Sequence, residues 1–125
     1  WKGASNHGTP SFGNGHNYGY YTKIGRTVHC HGFSSVTGTT GSGDWIIDNM
    51  PFTTPNTQGY QQPGSCMIDG FNLPAGSGWV TTYKDLNNTN LYFYNSEDNG
   101  GWQTLTVGQD AAFTIIWEIT YITAT

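Results

Sequence analysis

Apolar and polar residues alternate with a two-residue period along most of the chain, and the apolar runs are short and cut by Gly, Pro, Asn or Asp. That pattern predicts strands, not helices. Eight strands are expected, over 20–24, 27–35, 44–48, 65–69, 79–84, 91–95, 102–107 and 111–123. Turns punctuate them: Gly25, the Thr/Gly/Ser stretch 37–43, Pro74 to Gly78, Asn87-Asn88-Thr89 and Asp98-Asn99-Gly100-Gly101. Strands at intervals of roughly 8–12 residues are the spacing of a sandwich. The expected fold is therefore all-β, a single antiparallel β-sandwich of about eight strands with jelly-roll-like connectivity. Residues 1–18 are rich in Gly, Asn and His and lack periodicity, so they are expected to form an irregular arm ahead of a sandwich domain over 19–125.

Alternation also assigns faces. In the last strand Phe113, Ile115, Trp117, Ile119 and Tyr121 form an unbroken apolar row that must face the core. The opposite row, which includes Ile116, Glu118 and Ile122, is half apolar, where a monomer ordinarily presents polar side chains. Those three residues are either ordinary scattered surface positions or a subunit contact. Over 44–48, Trp45 and Ile47 are expected on one face; over 79–84, Val80 and Thr82 oppose Trp79, Thr81 and Tyr83.

Composition narrows the function. Of 125 residues 10% are charged and 15% aromatic, while 18 Gly, 18 Thr, 11 Asn and 8 Ser make up 55 of the chain's positions. A chain so short of charge and rich in aromatic and β-branched residues is neither helical nor disordered. Four Lys and Arg against eight Asp and Glu give a net charge of −4, and Lys2, Lys23, Arg26 and Lys84 form no run, so nucleic acid is not an expected partner. No run approaches the roughly 18 apolar residues of a membrane span. Cys30 and Cys66 lie in apolar strand contexts and are expected to be free, buried thiols, with a single bridge between them as the alternative.

The chain offers little for catalysis. Most acidic residues flank turns, where Asp bonds to local backbone. Asp44 and Asp48 stand roughly 13 Å apart along a strand, too far for a glycosidase pair. Nucleophile elbows, phosphate loops and Cys-x-x-Cys are missing from the sequence. A non-enzymatic protein without cofactor is expected. His29 and His31 share a strand face about 7 Å apart, with Cys30 turned inward. They form a weak metal candidate, since an ion would need ligands from elsewhere; the preferred reading is a surface pair.

Sugar binding is the chemistry this composition supports, because aromatic faces match the C–H side of a pyranose and amides match its hydroxyls. The loop carrying Asn56, Gln58, Tyr60 and Gln61 ranks first. Trp79 and Trp102 follow, with Tyr18, Tyr83, Tyr92 and Tyr94 as further rings at turns or strand ends. Trp45 and Trp117 are assigned to the core by alternation.

Three segments carry a family resemblance: Thr9-Pro10-Ser11-Phe12-Gly13, the run from Gly19 through Tyr21-Thr22-Lys23-Ile24-Gly25 to Val28, and Ile47-Asp48-Asn49-Met50-Pro51-Phe52-Thr53. With the long closing strand, the chain resembles the C-terminal domains of phage tail fibres and related virion appendages of marine and cyanobacterial phages. It departs from their pattern at Asn14, at Asn49-Met50 and at His29-Cys30-His31. The resemblance implies a homotrimer on the virion surface, assembled in the host cytoplasm, that adheres to a host polysaccharide or protein and carries no catalytic residue. It favours the subunit contact for Ile116, Glu118 and Ile122. It also suggests that Tyr21 and Ile24 anchor a strand in the core and that Phe52 plugs one end of the sandwich. Alternative expectations are a capsid-decorating or fibre-stabilising domain without receptor role and a secreted monomeric lectin.

Overall fold

The computed structural model describes residues 6–7, 11–38, 41–106 and 112–125. Eleven strands occur among them and no helix: β1 (Asn6–His7), β2 (Ser11–Ile24), β3 (Thr27–Gly38), β4 (Gly41–Ser42), β5 (Ile46–Ile47), β6 (Gln62–Pro63), β7 (Ser65–Asp69), β8 (Ser77–Lys84), β9 (Leu91–Glu97), β10 (Gln103–Thr104) and β11 (Phe113–Ile122). Two antiparallel sheets form the sandwich. One has the order β2-β3-β11-β7; the other runs β10-β9-β8-β6, with β5 also paired to β9, and β1 pairs with β4 apart from both. The expected β-sandwich is thus present. A jelly-roll connectivity goes further than this strand order, in which β2–β3 and β8–β9–β10 are sequential hairpins within one sheet.

The core forms where the two inner faces meet. The five odd-numbered residues Phe113 to Tyr121 of β11 are all buried, as alternation requires. Val28, Cys30 and Val36 of β3 join them from the same sheet, and Leu91 and Phe93 of β9 from the other. Trp45 packs edge-on to Phe113, with ring centroids 5.0 Å apart at 79°. Both cysteines are free, Cys30 buried and Cys66 half-buried; burial pushes the Cys66 thiol up to about 11.

Three sequence expectations need correction. Residues 11–18 are not an irregular arm: they are the first half of β2 and pair with β3 through an irregular register between Phe12 and Asn17. Backbone pairing builds this part of the strand, so its Gly/Asn-rich side chains leave no periodic trace. Residues 1–5 and 8–10 of the expected arm lie outside the described residues. The strand expected over 44–48 contracts to Ile46–Ile47, and Trp45 is buried next to Ile46 instead of sharing a face with Ile47. The chain there passes from a bridge at Thr106 to pairing with β9, which breaks the alternation. Tyr21 and Ile24, expected in the core, are exposed, Ile24 by 77%. Tyr21 instead meets Phe52 edge-on at 5.5 Å, and Phe52 packs against the core with the Lys23 ammonium 5.0 Å from its ring centre.

One buried residue has no counterpart in the sequence reading. Lys84 continues the inner row of β8 after Val80 and Thr82 and is fully buried. Its Nζ donates to the Asn88 carbonyl and lies 5.3 Å from the ring centre of Tyr121. Burial pushes its pKa from 10.5 down to about 8. Between those values the unfolded chain binds more protons than the folded one, so Lys84 makes stability rise with pH from 8 towards 10.5. Cys30, Cys66 and Tyr121, whose values burial raises, act in the opposite sense at alkaline pH. Comparison with Lys84→Met isolates the lysine. In urea titrations the variant's stability relative to the wild type is expected to be greatest at pH 7 and to fall from pH 8 to 10, by at most about 1.4 kcal/mol per pH unit. A difference that does not change with pH contradicts this account.

Candidate functional site

The outer face of the β10-β9-β8-β6 sheet carries the aromatic residues that alternation keeps out of the core. Along β8, Thr82 and Lys84 point inward, so Trp79, Thr81 and Tyr83 point to solvent. Register then sets their neighbours. Trp79 pairs with Ser96, Thr81 with Tyr94 and Tyr83 with Tyr92. On the far side of β9, Gln103 pairs with Asn95 and Thr104 with Tyr94, which brings Trp102 level with Ser96. The turn that returns the chain to Trp102 has Asn99 in the left-handed region at φ 57°, and the Gly100 amide donates to the Glu97 carbonyl at 3.2 Å.

The result is a groove of about 350 Å³. Trp79 on β8 and Trp102, the residue before β10, flank Ser96, roughly 10 Å apart across two strand spacings. Thr81 and Ser96 are the small residues between the rings, while Tyr83, Pro63 and Gln61 line the side towards β6. The rings brace each other: Tyr94 lies edge-on to Trp102 at 6.5 Å and to Tyr83 at 5.4 Å. Trp79 is 56% exposed and Trp102 72%, although each carries a large apolar face. Indoles left in water on a braced sheet face form a stacking surface.

Polar groups at the groove are placed as well. Thr81 Oγ1 donates to the Gly64 carbonyl at 2.5 Å. Gln61 Oε1 accepts from the Gly59 amide at 3.1 Å, which leaves its amide nitrogen as a donor for a ligand. Tyr83 donates its hydroxyl to Asp85 Oδ1 at 3.3 Å. Burial, reinforced by the Asp85 carboxylate, raises the Tyr83 pKa; burial, reinforced by Asp44, raises that of Tyr94. Both phenols therefore stay neutral at physiological pH.

Of the sequence-derived sugar-binding candidates, Gln61, Trp79 and Trp102 come together here with Tyr83 and Tyr94. Asn56 and Gln58 are exposed on the loop before β6, and Tyr60 is half-buried with its amide donating to Thr57. These three do not line the groove, so the loop ranked first contributes only Gln61. Sequence reasoning missed Thr81, Ser96 and Pro63. The available signal was the spelling of the outer rows, Trp79-x-Thr81-x-Tyr83 and Tyr92-x-Tyr94-x-Ser96, in which small residues interrupt large rings.

The outer face of the opposite sheet is apolar too. Register aligns Tyr18, Phe33, Ile116 and Met67 in one stripe across β2, β3, β11 and β7. Ile116 is 48% and Met67 72% exposed, Glu118 is exposed and Ile122 is half-buried. A shallow groove of about 440 Å³ on this face includes His29, His31, Ser65, Met67, Ile116 and Glu118. The His29 and His31 rings are 5.8 Å apart. His29 Nδ1 shares a hydrogen bond with Thr120 Oγ1 at 3.0 Å, while Glu118 Oε1 accepts from Ser65 Oγ at 2.9 Å. Among the described residues no three His, Cys, Asp or Glu side chains converge as a metal site.

No family model, curated protein or solved structure matches this chain.

Proposed function

We propose that this chain is a non-enzymatic adhesion domain that binds a cell-surface glycan in the aromatic groove between Trp79 and Trp102. The observation that carries the reading is that groove: two exposed indoles, braced by Tyr94 and Tyr83, flank small polar residues on a rigid sheet. A pyranose presents one C–H face to such rings and its hydroxyls to Gln61, Thr81 and Ser96. The apolar stripe of the opposite sheet suits contact between copies, which leaves the groove facing outward in the assembly. A trimeric virion appendage of the tail-fibre kind, the setting the sequence motifs suggest, uses both faces in this way. Two free thiols fit assembly in a reducing cytoplasm better than secretion as a lectin.

Binding of the full chain to immobilised glycans tests the proposal. Trp102→Ala is expected to lower affinity at least tenfold while leaving the far-ultraviolet circular dichroism and the melting temperature unchanged, because this side chain is largely in solvent. Mass photometry of the same samples is expected to show a trimer, reduced to smaller species by Ile116→Asp. An absence of glycan binding overturns the adhesion reading, and a stable monomer overturns the assembly.

A further inference from the structure

We infer that the groove takes uncharged pyranose chains and rejects anionic ones; this rests on the glycan-binding reading above. The chain has four Lys and Arg residues, and none of the three described ones faces the groove. Lys23 and Arg26 belong to the β2–β3 hairpin of the other sheet, where Lys23 lies over Phe52 and Arg26 Nε donates to the Thr123 carbonyl at 2.9 Å. Lys84, the one basic residue on the groove's own sheet, points into the core.

Two carboxylates border the site instead. Asp85 accepts from the Tyr83 hydroxyl at 3.3 Å, and Asp44 accepts from Thr104 Oγ1 at 2.7 Å beside Tyr94. A uronate, sialate or sulfate seated between the indoles loses water without gaining an ammonium or guanidinium partner, and it enters a field of like charge. A neutral sugar has only hydroxyls to satisfy. The Gln61 amide, the Thr81 and Ser96 hydroxyls and the neutral phenols of the lining serve that purpose, together with indole faces for the apolar side of the ring. Selectivity thus comes from what a charged ligand fails to find.

The test is a glycan array probed with the full chain, carrying each backbone in neutral form and in uronate, sialylated or sulfated form, followed by titration of the best matched pair. The neutral member is expected to bind at least tenfold more tightly. Its affinity is expected to stay constant between about 0.05 and 0.5 M salt, since no ion pair is there to be screened. Trp79→Ala must abolish the signal if it arises in this groove. Anionic ligands that bind equally or better, and lose binding in Trp79→Ala, overturn this inference while preserving the groove as the glycan site. Silence across the whole array overturns both.

Discussion

Truncation of Trp117 to alanine is expected to lower stability by about 3–5 kcal/mol, the range for removing a large buried aromatic side chain. Trp117 sits at the middle of β11 with β3 on one side and β7 on the other. Its ring lies against the bare backbone of Gly32, so closely that a Cβ at that position would come within 2.4 Å of it. The indole N–H has no partner among the described residues, so the cost is one of lost packing. Gly32→Ala probes the same contact from the other side and is expected to destabilise as well, because the added methyl also meets the Tyr18 carbonyl at 2.6 Å. Urea unfolding gives both values. A cost for Trp117→Ala below about 1 kcal/mol would show that the strands close over the space.

Gly64→Ala is the second substitution with a large expected effect, about 3 kcal/mol, at the upper end for overpacking. Gly64 is the point where the chain leaves one sheet for the other, since β6 pairs with β8 and β7 pairs with β11. Its amide donates to the Thr82 carbonyl at 3.0 Å, and Thr82 Oγ1 in turn donates to the Glu118 carbonyl at 3.0 Å. A Cβ at Gly64 would stand 2.3 Å from both the Glu118 carbonyl oxygen and Thr82 Oγ1, and 3.1 Å from Ile119 Cα. Two of these neighbours are backbone atoms of the central strand, which move only if the sheets separate. Gly101→Ala, where an added methyl meets nothing within 4 Å, is the control and is expected to be silent. Equal denaturation midpoints for Gly64→Ala and wild type would refute the claim that this crossing is tightly packed.

Much of the candidate site could be read from local patterns. Trp79 and Trp102 were separable from Trp45 and Trp117, which were assigned to the core and are buried there, Trp117 by alternation and Trp45 although the alternation breaks beside it. The folded chain groups the sugar-binding candidates differently from their order along the sequence. Tyr60 with its neighbouring amides looked like a ready-made site, yet its loop supplies only Gln61 to the groove. A loop rich in polar side chains is legible as composition; the assembly of rings from β8, β9 and the residue before β10 is not. Asp44 was expected to start a strand and Asp85 to follow one, and only the folded chain shows that they border Tyr94 and Tyr83.

The amino-acid order alone determined the class of fold and the face to which most strand residues point. Both follow from side-chain chemistry repeated every second position, and a one-residue slip would turn an entire apolar row to water. The tertiary structure decided which strands lie side by side. Only through that choice do Trp79, Ser96 and Trp102 share a row, does Lys84 end beneath Tyr121, and does Gly64 occupy the crossing between sheets. The physical reason is that strand adjacency is written in backbone hydrogen bonds, which nearly every residue type makes equally well, so it leaves no mark in the sequence until the chain has packed.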